Sequence, residues 1–336
     1  MSENREVIFK IENLKTWFPI TKGAFKKVVG HVKAVDDVSL EVYKGETLGI
    51  VGESGCGKST FGKTIMMLEK PTGGKVLFNY GGEFKDVTKF NKEEMFQFRR
   101  KVQMVFQDPY SALNPQKKIY TSFEEPLKVH GVKSEADREA VMQKVLKMVN
   151  IQPDYLMRYP HEFSGGQRQR LCIARALEVM PEVLVCDEPV SALDVSIQAQ
   201  VLNLMKDIQK EMNLTYLFIA HDLSVVQYMS DRIVVMYLGK IVEIADSRAL
   251  YDEPLHPYTQ ALLSAIPVPD IHKTKKRQVL EGEGPSPIHK PSGCAFHNRC
   301  PKCMEICKTQ APNMVHHGAE GHMVACHLYD KEAPKA

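Results

Sequence analysis

The stretch of the sequence best suited to chemistry is GESGCGKS, residues 52–59, which follows the apolar run TLGIV. It fits the pattern G-x-x-x-x-G-K-[ST] between an expected strand and an expected helix. Glycines let backbone amides converge on anionic oxygens, and the amino end of a helix adds a positive dipole. Lys58 is expected to reach the β and γ phosphates and Ser59 to hold Mg²⁺, so the loop predicts binding of a nucleoside triphosphate. The predicted binding residues are Gly52, Glu53, Ser54, Gly55, Cys56, Gly57, Lys58, Ser59 and Thr60.

Two adjacent carboxylates end a second apolar run, VLVCDEP. At the end of a strand, the turn can bring Asp187 to the magnesium shell and Glu188 to the attacking water, as its general base. Two solvated acids at a strand end are the simpler alternative for either residue alone. Gln107 follows the apolar run VQMVF and is a candidate to reach the metal or the water.

His221 closes a third apolar run, in FIAHD. A lone histidine in such a place is often only a polar cap. Polar residues after several strands of one parallel sheet collect at the carboxyl edge, where ligands bind. We therefore expect His221 to contact the γ phosphate, so that Glu188, His221 and Gln107 are the predicted catalytic residues.

A second glycine-rich helix start lies in FSGGQRQR, residues 163–170, and predicts another anion-binding amino terminus. Ser164, Gly165, Gly166 and Gln167 resemble the signature motif of the ATP-binding cassette (ABC) ATPases. In that family two cassettes pack head to tail, and each signature completes the partner's ATP site. The resemblance covers about residues 7–250 and keeps the family's motif order, including SALD at residues 191–194 with Asp194 at its end.

The same resemblance implies an aromatic side chain that stacks on adenine shortly after the first strand. KTWFP offers Trp17 and Phe18, and the spacing favours Phe18. Packing of either ring into the core or a hairpin is an equal alternative.

The strands and helices that must position these residues indicate an α/β fold. Residues 7–14 and 32–42 alternate apolar and polar residues, which predicts antiparallel strands, whereas TLGIVG, EVLVCDE and TYLFIAH predict buried parallel strands. SEADREAVMQKVLKMVNI predicts a capped helix with Val141, Val145, Met148 and Val149 on its apolar stripe. RIVVMYLGKIVEI predicts a hairpin that turns at Leu238 and Gly239.

The predicted fold class is a P-loop NTPase with an ABC-type nucleotide-binding domain, an antiparallel β subdomain, a helical subdomain and a small Cys-rich C-terminal domain. The ABC domain is expected over residues 1–250, with the helical subdomain at about 108–170. Residues 251–293 form a tail whose proline- and glycine-rich part, from about 265, predicts a linker. The Cys-rich segment follows at 294–329.

The composition limits the classes of protein to consider. The 336 residues carry a formal net charge of only +3, which gives no argument for a nucleic-acid partner. The amino-terminal residues predict no secretory signal, and no apolar run approaches the roughly 18 to 20 residues of a membrane helix. Any work at a membrane is therefore expected of a peripheral subunit.

The segment EPLHPYTQALLSAIP, residues 253–267, is similar to the tail of the oligopeptide and dipeptide importer ATPases, and the amino-terminal hairpin to their F-type subunit. The resemblance implies one half of an ATPase heterodimer at the cytoplasmic face of the cell membrane. Its implied partners are a second, non-identical ATPase subunit, two membrane-spanning permease subunits and an extracellular or periplasmic peptide-binding protein.

Five of the eight cysteines fall between residues 294 and 326, and this clustering favours a metal over disulfides. Cys294, Cys300, Cys307 and Cys326 match the family pattern C-x5-C-x6-C…C, at which some members bind a [4Fe-4S] cluster. Four thiolates suit iron–sulfur or tetrahedral zinc equally, and free structural thiols are the alternative. Cys303 is an additional cysteine, so the choice of the fourth ligand stays open.

Other functions stay open at this point. Nickel or another small solute is an alternative cargo, because cargo is selected by other subunits. A soluble cassette ATPase of DNA repair or translation usually carries coiled coils or two cassettes, and neither is indicated here. The presence of Glu188 and His221 argues against a scaffold subunit that does not hydrolyse ATP.

Overall fold

A computed structural model describes residues 5–266, 286–288, 290–318 and 321–330. The strands are β1 (Val7–Lys22), β2 (Lys27–Tyr43), β3 (Thr47–Val51), β4 (Gly73–Tyr80), β5 (Glu83–Asp86), β6 (Val102–Val105), β7 (Val183–Asp187), β8 (Thr215–Ile219), β9 (Arg232–Tyr237), β10 (Lys240–Asp246), β11 (Val315–His316) and β12 (Met323–Val324). The helices are α1 (Lys58–Ile65), α2 (Lys92–Lys101), α3 (Pro109–Ala112), α4 (Ile119–Val129), α5 (Glu135–Met148), α6 (Gly165–Leu177), α7 (Val195–Met212), α8 (Leu223–Met229), α9 (Ser247–Asp252), α10 (Pro257–Ser264) and α11 (Glu305–Thr309). Short 3₁₀ helices cover Val87–Lys89, Pro153–Met157, Pro160–Glu162 and His297–Arg299.

The chain forms two compact units, and each is described by itself. The helical unit comprises residues 5–6, Tyr43–Thr47 and Lys89–Ala220. The phosphate-loop unit comprises Val7–Val42, Leu48–Thr88 and the described residues from 221 to 330.

In the phosphate-loop unit, β1, β2, β4 and β5 form a sheet in the order β2-β1-β4-β5, with β1 and β4 antiparallel. A second group of strands pairs β3 with β9 in parallel and β9 with β10 antiparallel. The turn between β9 and β10 lies at Leu238 and Gly239, which confirms the predicted hairpin. The β11–β12 pair adds to β10, where Glu243 lies opposite Val324.

In the helical unit, β6, β7 and β8 are parallel, with β7 between the other two. Every residue of β7 and β8 is buried, as the continuous apolar runs predicted. Helices α2 to α7 belong to the same unit.

Helix α5 begins where the sequence predicted, because the Ser134 hydroxyl accepts a hydrogen bond from the Asp137 amide. Its buried stripe differs from the predicted one. The fully buried apolar positions are Met142, Val145, Leu146 and Val149, whereas Val141 and Met148 are half-buried. Val145 and Val149 of the predicted stripe are thus confirmed, and Met142 and Leu146 replace Val141 and Met148 on the covered face.

The tail after α9 belongs to the phosphate-loop unit. Leu255, Val324 and Cys326 form a small buried cluster there, with Val315 and Tyr329 packed against it. Most of the predicted linker, residues 265–293, lies outside the described residues. No helix within the described ranges is long and apolar enough to cross a membrane.

Candidate functional site

The phosphate loop lies in the phosphate-loop unit, between the carboxyl end of β3 and the amino end of α1. Lys58 is buried, and its Nζ donates to the Gly52 carbonyl at 2.7 Å and to the Glu53 carbonyl at 3.0 Å. The lysine is thus held by the loop backbone with its charge at the start of the helix. A cation beside converging backbone amides is the arrangement that binds phosphate.

Gly57 occupies the N-cap of α1 with φ of 106°, and no side chain caps this helix. A methyl group on Gly57 would lie 2.0 Å from the Ala34 carbonyl oxygen. Only glycine fits here, because the position combines a left-handed backbone with close approach of another strand. Because no side chain caps α1, its amino-terminal backbone amides can donate hydrogen bonds to an anion.

Asp187 and Glu188 lie in the helical unit at the carboxyl end of β7, and Asp187 is only 5% exposed. Glu188 has φ of 48°, in the left-handed region, and its amide donates to the Ile219 carbonyl at 2.9 Å. The Gln107 amide Nε2 donates to Glu188 Oε2 at 2.8 Å. The structure thus brings two of the three predicted catalytic residues together.

The signature residues begin α6, also in the helical unit. The Ser164 hydroxyl accepts from the Gln167 amide, and Gln167 Oε1 accepts from the Ser164 amide at 3.1 Å, which is a capping box. A methyl group on Gly166 would lie 2.4 Å from Ile197 Cγ2 of α7. Gly165 has more room, since its nearest neighbour would be Leu193 Cδ2 at 3.5 Å.

Two other predicted residues lie at helix starts. Asp194 is the N-cap residue of α7, but its side chain makes no capping hydrogen bond. His221 is exposed, belongs to the phosphate-loop unit and precedes α8, whose N-cap is Asp222.

The two aromatic candidates for adenine have different surroundings. Trp17 donates its indole Nε1–H to Asp36 Oδ1 at 3.2 Å, and Lys33 Nζ lies 4.4 Å from its ring centroid. Phe18 is 36% exposed. Trp17 is thus already engaged by polar neighbours, whereas the ring of Phe18 has a solvent-accessible surface.

The cysteines of the tail lie near one another. The Cys294 amide donates to the Cys307 carbonyl at 2.8 Å, and the Cys303 amide donates to the Cys300 carbonyl at 3.2 Å. Burial, with smaller contributions from Cys294, Cys300 and Cys307, raises the pKa of Cys326 to about 12. The backbone contacts place these cysteines in one region of the phosphate-loop unit.

Thiolate sulfurs fit an iron–sulfur cluster or zinc by their chemistry. Within the ranges that the structure describes, however, no three Cys, His, Asp or Glu side chains are gathered closely enough to hold a metal ion. His297 Nδ1 lies 2.9 Å from the Cys294 carbonyl oxygen, and His327 Nε2 lies 2.9 Å from the Gln310 carbonyl oxygen. The cysteine side chains are of the type that binds an iron–sulfur cluster or zinc, but they are not arranged as a metal centre here.

Comparison with known proteins places this set of features in a family. The model of the family described as "ABC transporter" matches residues 35–191. The oligopeptide transport ATP-binding protein AppF of Bacillus subtilis is 53% identical over 329 residues, which cover 97% of this chain and 98% of that protein. The chain belongs to the ABC transporter ATP-binding proteins.

Further matches extend this assignment beyond the cassette. The family model described as "Oligopeptide/dipeptide transporter, C-terminal region" matches residues 242–307 of this ABC ATPase. The oligopeptide transport ATP-binding protein OppF of Salmonella typhimurium is 50% identical over 330 residues, with 96% of this chain and 97% of that protein covered. The similarity therefore includes the tail.

Solved structures of ABC proteins share the fold. CbiO1 from Clostridium perfringens, part of an ABC transporter complex, gives a TM-score of 0.62 at 25% identity and covers 74% of this chain and 92% of that one. A dimeric ATP-binding cassette, MJ0796, bound to ADP and phosphate in a post-hydrolysis state, gives 0.61 at 29% identity, with 72% and 99% covered. The expected α/β fold of an ABC ATPase is thereby confirmed, and ATP with Mg²⁺ fits this fold.

Sequence reasoning missed two residues that touch the phosphate loop of this ABC ATPase. The Tyr258 hydroxyl accepts a hydrogen bond from the Glu53 amide at 2.8 Å. The Arg299 guanidinium forms a bidentate ion pair with the Glu53 carboxylate, at 2.8 and 3.0 Å. No periodic pattern marks such contacts, since 205 and 246 residues separate the partners.

Proposed function

We propose that this chain is the ATP-hydrolysing subunit of a membrane ABC transporter that imports oligopeptides or dipeptides. The geometric observation that supports ATP hydrolysis is the 2.8 Å hydrogen bond between Gln107 Nε2 and Glu188 Oε2. It holds a candidate general base at the end of a buried strand. The peptide cargo is supported by relatives that are named oligopeptide transport proteins and are similar along nearly the whole chain.

The roles of the site residues in this proposal follow from their chemistry. Lys58 and the backbone amides of residues 52–60 bind the phosphates, and Phe18 stacks on adenine. Hydroxyl, carboxylate and amide oxygens are the donors that Mg²⁺ prefers, and Ser59, Asp187 and Gln107 supply them. When bound, Mg²⁺ neutralises charge on the β and γ phosphates. Glu188 accepts the proton of the attacking water, and His221 donates a hydrogen bond to the γ phosphate.

The signature residues serve a second cassette in this proposal. Ser164 and Gly166 begin an α-helix of 13 residues whose amino-terminal dipole favours an anion, and Gly165 and Gln167 complete that start. We assign them to the nucleotide of a non-identical ATPase subunit, together with Asp194. Two permease subunits and an external peptide-binding protein complete the proposed transporter, with this chain bound at the cytoplasmic face of the membrane.

Glu188→Gln tests the ATPase assignment in the assembled transporter. The variant should bind ATP with unchanged affinity and lose at least about 100-fold in turnover, because glutamine cannot accept the proton. Glu182→Gln is the matched control, since Glu182 precedes the other end of β7 and pairs with Lys101. Unchanged turnover in Glu188→Gln would refute the role of the base.

The cargo is tested by reconstitution of the transporter in liposomes. ATP-driven uptake of a labelled oligopeptide or dipeptide supports peptide import, whereas uptake of nickel alone supports the rival cargo. ATP turnover that needs no permease subunit would instead indicate a soluble cassette ATPase.

The tail cysteines form a separate part of the proposal. We assign Cys294, Cys300, Cys307 and Cys326 to a [4Fe-4S] cluster, with zinc as the alternative and Cys303 as a replacement ligand. Their support is the backbone hydrogen bonds that join Cys294 to Cys307 and Cys303 to Cys300, together with the similarity of nearly the whole chain to oligopeptide transport relatives. Anaerobic purification of the wild type and Cys300→Ser should yield iron and sulfide that the variant loses. Zinc or no metal would overturn the cluster.

The domain boundaries are also proposed. We assign residues 1–250 to the ABC ATPase domain, 108–170 to its helical subdomain, 251–293 to a tail and 294–329 to the Cys-rich segment. Limited proteolysis that cleaves first between 265 and 293 would support the boundary after the cassette. First cleavage inside 7–250 would contradict it.

A further inference from the structure

Among the described residues after 250, Tyr258 and Arg299 contact the phosphate loop at Glu53. From α10, the Tyr258 hydroxyl accepts the hydrogen bond of the Glu53 backbone amide at 2.8 Å. From the Cys-rich segment, Arg299 binds both oxygens of the Glu53 carboxylate, at 2.8 and 3.0 Å. Both the backbone and the side chain of this loop residue are therefore fixed by residues far along the chain.

The two anchoring residues are held rigidly in turn. The ring centroids of Tyr237 and Tyr258 are 4.6 Å apart, and Phe296 packs on both at 5.3 and 5.4 Å. Phe296, which is 1% exposed, lies three residues before Arg299. The Arg299 side chain is only 9% exposed and also donates to the Tyr237 hydroxyl at 3.5 Å. The aromatic cluster thus ties the Cys-rich segment and α10 into one support.

The helix that carries Tyr258 is fixed by its own cap. His256 is 1% exposed, and its Nδ1 accepts a hydrogen bond from the Tyr258 amide at 3.0 Å. The buried Glu243 carboxylate accepts from the amides of Leu255 and His256 at 2.8 and 2.9 Å. The position of the tyrosine hydroxyl is therefore determined before any nucleotide arrives.

The charge of Glu53 gives the ion pair a specific consequence. A carboxylate in a phosphate loop repels the negatively charged phosphates of ATP across a short distance. Arg299 neutralises that carboxylate and holds it in one bidentate geometry, which is stronger and more directional than a single contact. A loop that is already fixed also loses less conformational entropy when it binds its ligand.

We infer that Arg299 and Tyr258 are positioning residues for ATP binding, through which the tail and the Cys-rich segment set the affinity of the phosphate loop for nucleotide. The inference rests on the proposed use of this loop for ATP. Arg299 compensates the Glu53 charge, and Tyr258 fixes the Glu53 backbone. Neither residue is a catalytic residue, because each acts through the loop.

The test is the dissociation constant of a fluorescent ATP analogue for the full chain and four variants. Arg299→Gln should weaken binding about tenfold, and Tyr258→Phe, which keeps the ring, about threefold. Glu53→Gln in the Arg299→Gln background should restore most of the affinity, because the uncompensated charge is gone. Lys308→Gln is the control, since Lys308 belongs to the same segment but pairs with Glu305.

Restored binding in the double variant is the outcome that a merely structural role would not give. Equal affinity of Arg299→Gln and the wild type would overturn the inference. The inference would also be overturned if the double variant bound the analogue as weakly as Arg299→Gln and both variants had a lower melting temperature than the wild type without nucleotide. Absence of binding by the wild type would instead refute the proposed ATP site itself.

Discussion

Glu178 should make the unfolding free energy of this protein depend on pH in an unusual direction. The residue is the C-cap of α6 and is 3% exposed, and neither carboxylate oxygen has a hydrogen-bond partner within the described residues. Burial raises the pKa of Glu178 to about 9, and the nearby Arg175 only partly opposes this. The carboxyl is therefore protonated in the folded protein at neutral pH.

The sign and size of the effect follow from linkage. Above its ordinary pKa of 4.5 the unfolded chain releases the proton while the folded chain keeps it, so the unfolding free energy falls as pH rises towards 9. Within that window the unfolding free energy falls by about 1.4 kcal/mol per pH unit, which amounts to about 3 kcal/mol between pH 4.5 and pH 7. The contribution is most favourable below pH 4.5 and is lost as pH rises through the folded pKa.

Glu178→Gln removes this titration and keeps the shape of the side chain. Urea unfolding of the variant and the wild type at pH 5.5, 6.5 and 7.5 should show an advantage for the variant that grows by about 1.4 kcal/mol per pH unit. Glu162→Gln is the control, because Glu162 is exposed in the same unit. A difference between variant and wild type that is constant with pH would refute the buried, protonated carboxyl.

Two further predictions concern the phosphate-loop unit. Gly57→Ala should weaken ATP binding at least about tenfold in a nucleotide titration, because its methyl group would meet the Ala34 carbonyl oxygen at 2.0 Å. Gly55 has a left-handed backbone as well, with φ of 76°, but nothing lies within 4 Å of an added methyl group there. Gly55→Ala should therefore cost less, and equal losses would contradict the steric argument. Burial lowers the pKa of His256 to about 4, so its contribution to stability should be lost as pH falls from 6.5 to 4. His256→Asn, which can still cap α10, should show a shallower loss of unfolding free energy over that window, and an unchanged slope would argue against a neutral buried imidazole.

Local motifs were predictable from the sequence because their physical requirements are local. A phosphate loop needs its glycines and lysine within a few residues, and a buried parallel strand shows as a continuous apolar run, as in β7 and β8. The cap of α5 at Ser134 follows the same logic.

Features that depend on distant partners escaped sequence reasoning. The buried face of α5 centres on Met142 and Leu146, because the helices around it decide which side is covered. Gln107 and Glu188 were predicted at one site, but the direct hydrogen bond between them was not, because it joins residues 81 positions apart. The ion pair of Glu53 with Arg299 spans a longer interval still and leaves no compositional trace.

The pairing of β10 with β12 has a consequence for biosynthesis. Glu243 on β10 hydrogen-bonds His322 across 79 residues of chain, and the neighbouring β12 covers the same strand. At a synthesis rate of about 5–20 residues per second, the edge of β10 stays unpaired for several seconds, because β12 is synthesised later. An apolar, unpaired strand edge is prone to aggregation during that interval. Slower translation after β10 would therefore lengthen the exposure and lower the yield of folded protein.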